Sequence, residues 1–131
     1  MTPQREEAAR MLRLARRDQA AFNALLAAPG VAASVAFFHA QQAAEKALKS
    51  VMCLHGLEYR RTHDLEELVG QLTDAGCGSV INEADLRRLT PYAVEYRYDD
   101  EAPQLLTGVQ AQTIVASLLA WADAQSGLRA P

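Results

Sequence analysis

Residues 37–49 read Phe37-Phe38-His39-Ala40-Gln41-Gln42-Ala43-Ala44-Glu45-Lys46-Ala47-Leu48-Lys49. No glycine or proline interrupts this run, and apolar and polar residues do not alternate as they would in a half-buried strand. Phe37, Ala40, Ala44 and Leu48, continued by Val51 and Leu54, recur every three or four positions. That is the spacing of one buried face of a helix. The helix extends from about Val31 to His55, and Gly56 follows where helices often stop.

The same periodicity continues on both sides. Upstream, Ala8, Leu12, Ala15, Phe22 and Leu26 mark a helix from about Pro3 to Ala28, with Thr2 as N-cap. Pro29-Gly30 ends it. Two long helices joined by so short a link are expected to form an antiparallel hairpin. Downstream, Leu65, Leu68, Val69 and Leu72 mark a third helix from His63 to about Ala75, with Thr62 as N-cap. Gly76-Cys77-Gly78 stops it. Asn82 opens a fourth, with Asp85 in a box-like position, and Pro91 kinks or splits that helix. Leu86, Leu89 and Ala93 point inward. A fifth covers about Gln104 to Gln125, burying Ala111, Ile114, Val115, Leu118, Trp121 and Ala122, and Gly127 ends it. The expectation is an all-α, up-and-down bundle of about five helices forming a single domain over residues 1–131.

Composition narrows the function. The net charge is −3 and the pI about 5.6, so nucleic acid could be held only by a local basic patch. Arg10, Arg13 and Arg17 share one helix face, and Arg60-Arg61 and Arg87-Arg88 form pairs. They read most simply as solvated charges. Cys53 and Cys77 form no metal or redox motif, and His39, His55 and His63 lack paired-ligand spacing. No metal and no cofactor is expected. The acidic N-terminus is not a signal peptide, and Val31–Phe38 is far too short to span a membrane. A cytoplasmic protein without membrane contact is expected.

Two segments carry chemistry. Phe38, Gln42, Glu45, Lys49 and Met52 form one stripe of the second helix. Either this is a solvated face with a Glu45–Lys49 pair, or it is covered and its polar groups must find partners. Thr62-His63-Asp64-Leu65 places a histidine at the start of the third helix, where an N-terminus lowers histidine basicity and attracts anions. Taken alone, it is a capping signal.

Together, Gln-Gln-Ala-Ala-Glu-Lys-Ala-Leu-Lys at 41–49 and Thr-His-Asp-Leu at 62–65 resemble the prokaryotic HEPN family. Tyr92, Tyr96, Arg97 and Tyr98, assigned to the fourth helix, look like that family's Tyr…Arg-Tyr segment. The resemblance runs from about Arg5 to Gln125 and implies a helical bundle that dimerises. It also implies a partner, a minimal nucleotidyltransferase, in a toxin–antitoxin-like module. It points to a nucleotide held near Glu45, Lys49, His63 and Arg97, and to Tyr96 or Tyr98 as a modified tyrosine.

Catalytic HEPN members are metal-independent ribonucleases whose arginine is followed, after four to six residues, by a histidine. Here Arg97 is followed by Tyr98, Asp99, Asp100, Glu101, Ala102, Pro103 and Gln104, with no histidine. The sequence therefore favours a dimeric binding protein and leaves enzymatic activity open. The alternatives are an endoribonuclease toxin with a degenerate motif, Arg97 holding phosphate and His63 moving protons, and a purely structural adaptor. The expected ligand is a nucleotide or RNA. For the homodimer, Phe38, Met52 and the Trp121 face are the expected contact residues.

Overall fold

The computed structural model describes residues 2–59, 61–78 and 81–128. Among them the chain is all-helical. The order is α1 (Pro3–Ala27), α2 (Ala33–Leu54), α3 (Leu65–Asp74), α4 (Glu83–Leu89), a 3-10 turn (Thr90–Ala93) and α5 (Gly108–Leu128).

The α1–α2 hairpin is the spine. Ser50 Oγ donates to Ala8 O at 2.8 Å near one end, and the Phe22 and Phe37 rings lie 6.1 Å apart near the other. Early α1 thus meets late α2, as antiparallel pairing requires. α2 is the most enclosed helix: Phe37, Ala40, Ala43, Ala44, Ala47, Leu48, Val51 and Met52 are fully buried. Its small alanines let α1, α3 and α5 approach on several sides. The core then closes through Leu65, Leu68, Leu72, Leu86, Leu89 and the inner side of α5.

Local signals set most boundaries. Thr2 caps α1 by accepting from Arg5 N, with Pro3 in the first turn. Gly56 has φ 67°, and Gly56 N and Leu57 N return to Cys53 O and Met52 O. This paired return with a left-handed glycine ends α2. Asn82 caps α4, accepting from Ala84 N and Asp85 N, and Pro91 falls in the 3-10 turn that replaces further α-helix.

Several expectations are corrected. α3 starts two residues late, because Asp64, not Thr62, is its N-cap. The Asp64 carboxylate accepts from Glu66 N and Glu67 N, and Thr62 Oγ1 takes Asp64 N instead. Asp85 does not complete a box at α4; its carboxylate is drawn to Arg88. Val94 to Tyr98 lie in turns, so Tyr96, Arg97 and Tyr98 are not on the fourth helix. α5 begins at Gly108 because Thr107 and Gln110 cap each other, Gln110 N to Thr107 Oγ1 and Thr107 N to Gln110 Oε1. Gly127 does not end α5, which continues to Leu128. Met52 is fully buried and cannot contact a partner, while Leu26 and Trp121 are only half-buried.

Tyr92 ties the segment after the 3-10 turn to the core. It is 1 % exposed, its ring lies 5.1 Å from Phe37, its hydroxyl donates to Pro103 O, and it accepts from Leu105 N. Burial pushes this phenol above its ordinary pKa. Tyr96 packs edge-on against Tyr92 at 5.4 Å. Tyr92 therefore fixes where the neighbouring turn places Arg97.

Candidate functional site

Glu45 sits on a stretch of α2 that α3 covers. It is 4 % exposed, so its carboxylate has left most of its water and needs other donors. It finds three. Oε2 accepts from Lys49 Nζ at 3.0 Å, one helical turn on. Oε1 accepts from His63 Nδ1 at 2.7 Å and from Gln41 Nε2 at 3.3 Å. Because a carboxylate only accepts, the bonded Nδ1 carries the proton. The imidazole is thereby fixed, with 54 % of its side chain left to solvent.

Gln41 completes the framework. It is fully buried and satisfied on every side: Nε2 donates to Glu45 and, at 2.9 Å, to His63 O, and Oε1 accepts from Gln42 Nε2 at 2.8 Å. The bond to His63 O depends on the late start of α3. A helical His63 carbonyl would accept from the backbone four residues on. Since Asp64 caps the helix, that carbonyl is left for Gln41. One side chain of α2 thus holds the loop backbone while another holds its imidazole. Lys49 Nζ also lies 5.0 Å from the Tyr59 ring centroid, a cation–π contact that fixes its position.

Arg97 lies elsewhere on the same stripe. Its guanidinium stacks on Phe38, 4.3 Å from the ring centroid, and sits 5.4 Å from the Tyr98 ring. Among the described residues it has no hydrogen bond or ion pair with Glu45, Lys49 or His63. Phe38 and Glu45 are seven residues apart, about 10 Å along α2, and Arg97 stacks at the Phe38 end. Glu45, Lys49 and His63 form one bonded group, and Arg97 flanks it. Tyr96 is half-buried against Tyr92, and Tyr98 is 82 % exposed.

A second cluster has no counterpart in the sequence analysis. Asp18 of α1 accepts from His39 Nδ1 at 3.1 Å and pairs with Lys46. The seven-residue spacing of His39 and Lys46 puts both on one helix face, but nothing in the sequence couples that face to Asp18. Arg10 pairs with Glu7, Arg16 with Asp123, Arg87 with Glu66 and Arg88 with Asp85. Arg13 and Arg17 are exposed, and Arg60 lies outside the described residues. Among the described residues no group of histidine, cysteine and acidic side chains is arranged to hold a metal, and no helix is long and apolar enough to cross a membrane.

The Glu45 arrangement can hold a histidine with its outer nitrogen presented to solvent and a lysine beside it. Such a pair can bind phosphate oxygens, and an imidazole so oriented can also move a proton. In comparisons with known proteins, the model of the HEPN domain matches residues 8–122, most of the chain. No curated protein and no solved structure matches it.

Proposed function

The chain belongs to the HEPN domain family, and from that premise we propose that it is a dimeric nucleotide-binding protein that works beside a minimal nucleotidyltransferase in a toxin–antitoxin-like pair. On this reading residues 1–131 act as one cytoplasmic domain. The observation that carries it is the buried Glu45 carboxylate holding Lys49 and His63 together, with Arg97 stacked on Phe38 of the same α2 stripe. Protonated at its outer nitrogen, His63 donates to phosphate, and Lys49 adds positive charge. Arg97, about 10 Å away along the helix, takes the far end of the ligand. That interval suits a nucleotide better than a lone phosphate. Tyr98, exposed beside Arg97, is the better placed of the two candidate tyrosines for modification by the partner.

The test is thermal unfolding with AMP or ATP. Binding to the folded state alone must raise the melting temperature. The shift is expected for the wild type and lost in His63→Ala and Arg97→Ala. No shift at millimolar nucleotide removes the nucleotide reading. Co-expression with a minimal nucleotidyltransferase encoded alongside should give one co-eluting complex, and separate elution removes the partner reading.

A second reading has a specific observation behind it. The Glu45–His63 dyad orients an imidazole as a proton carrier, and because Arg97 of the same chain stacks about 10 Å along α2, the positive charge for the phosphorane comes from Arg97 of a second subunit. A ribonuclease built this way would arrest growth when expressed alone, and Arg97→Ala would relieve the arrest. Intact RNA after incubation with the purified protein argues against it.

A further inference from the structure

The hydrogen bonds running from Glu45 to Gln42 have a direction that is fixed from one end. The Glu45 carboxylate and the His63 carbonyl can only accept, so Gln41 must turn Nε2 toward them, at 3.3 and 2.9 Å. Gln41 is fully buried, and its Oε1, facing the other way, needs a donor from the protein. Gln42 supplies it from Nε2 at 2.8 Å. Neither amide can be flipped. A reversed Gln41 would set its oxygen against two acceptors, and a reversed Gln42 would set oxygen against oxygen.

That polarity carries outward to Gln42, which is half-buried. Its Oε1 accepts from no described residue, and Nε2 keeps a second N–H. Gln42 thus presents an oriented acceptor with a donor beside it.

Its place along α2 decides what can use that pair. Gln42 lies four residues after Phe38 and three before Glu45, about 6 Å and about 4.5 Å along the axis. It stands between the Arg97–Phe38 stack and the group of Glu45, Lys49 and His63. The other polar side chains of these turns, His39 and Lys46, are drawn to Asp18 on the α1 side. In a nucleotide the covalent order is phosphate, sugar, base. With the phosphate at His63 and Lys49, and the base against the planar groups of Phe38, Arg97 and Tyr98, the sugar falls at Gln42. A ribose offers two adjacent hydroxyls there, each able to donate and accept. One donates to Oε1 while the other accepts from Nε2.

We infer that Gln42 is a specificity-determining residue that reads the ribose cis-diol of the bound nucleotide, its acceptor held in place by Gln41 and Glu45. This inference rests on the nucleotide reading above and names the part of the ligand that the middle of the stripe selects.

Thermal-shift titrations of the full chain with AMP and with 2′,3′-dideoxy-AMP test it, because ligand binding to the folded state alone sets the shift. The two ligands share phosphate and base and differ only in the hydroxyls. The wild type should hold AMP about tenfold more tightly, the worth of one or two neutral hydrogen bonds. Gln42→Leu would strip the buried Gln41 oxygen of its donor and unsettle the fold. Gln42→Lys is the sharper variant, since its ammonium still donates to Gln41 Oε1 but offers no acceptor. In Gln42→Lys the preference should fall to about twofold or less. The added charge acts on both ligands alike and drops out of the ratio. Equal binding of the two ligands by the wild type overturns the ribose inference while the nucleotide reading stands. A preference that survives Gln42→Lys assigns the diol to another residue and overturns the role of Gln42. No shift with either ligand removes the nucleotide reading itself, and this inference with it.

Discussion

Asp18 and Glu45 each join one lysine to the Nδ1 of one histidine, yet the two clusters differ in what they hold. Asp18 reaches from α1 to His39 and Lys46, both on α2. All three partners belong to the long hairpin, and the carboxylate ties its two helices together. The His39 side chain is 30 % exposed. Glu45 is more deeply buried, and its histidine comes from a loop outside α3, held by its backbone as well as its ring. The His63 side chain is 54 % exposed. Similar chemistry gives a packing tie in one place and a presented imidazole in the other. The difference lies in whether the histidine belongs to a packed helix or to a loop anchored onto one.

The comparison can be broken experimentally. The largest effect is expected from Glu45→Ala. Removing the acceptor leaves Lys49, only 12 % exposed, without its counter-charge and takes one hydrogen bond each from Gln41 and His63. Breaking a buried pair in this way costs about 3 kcal/mol, readable by urea unfolding. Asp18→Ala acts on a more solvated cluster, and its cost is expected to be about 1–2 kcal/mol. Equal losses would show the two clusters to be equivalent supports.

Function should separate them more sharply than stability. His63→Ala is expected to weaken nucleotide binding at least about tenfold, or about 1.4 kcal/mol, and His39→Ala to leave it unchanged in the same titration. Similar losses from both would make the exposed ring of His63 irrelevant.

The smallest effect belongs to the surface pair Glu7–Arg10. The Arg10 hydrogen bond holds the Glu7 carboxyl below its ordinary pKa. A group depressed on folding stabilises the protein above its unfolded pKa and loses that contribution as pH falls through the folded value. Arg10→Ala should therefore lower stability slightly at neutral pH, and the difference from wild type should vanish in acid. Denaturation at pH 7 and pH 3 would detect a larger or reversed effect.

The fold was legible because its signals are local. Apolar spacing along α1 and α2, Thr2, Asn82, Pro29-Gly30 and Gly56 all act within a few residues of the structure they set. Thr107-x-x-Gln110 carried the same kind of signal and would have placed the start of α5, but the apolar pattern drew that boundary too early. The cap of α3 was misplaced because Thr62 and Asp64 are both competent, and the carboxylate won by satisfying two backbone N–H groups. That two-residue shift frees the His63 carbonyl for Gln41. The stripe of α2 was visible as a pattern, but Met52 at its end was taken for surface.

Sequence alone determined the helices, their order and the hairpin, because periodicity and capping are properties of neighbouring residues. It also marked Glu45, Lys49, His63 and Arg97 as polar groups worth following. Tertiary structure decided which of them meet. It joined the first three through a buried carboxylate, moved Arg97 onto Phe38, and paired Asp18 with a histidine and a lysine that no local rule connects to it. The physical reason is that helix spacing fixes a side chain's direction, whereas burial by a distant segment fixes the partner it must find.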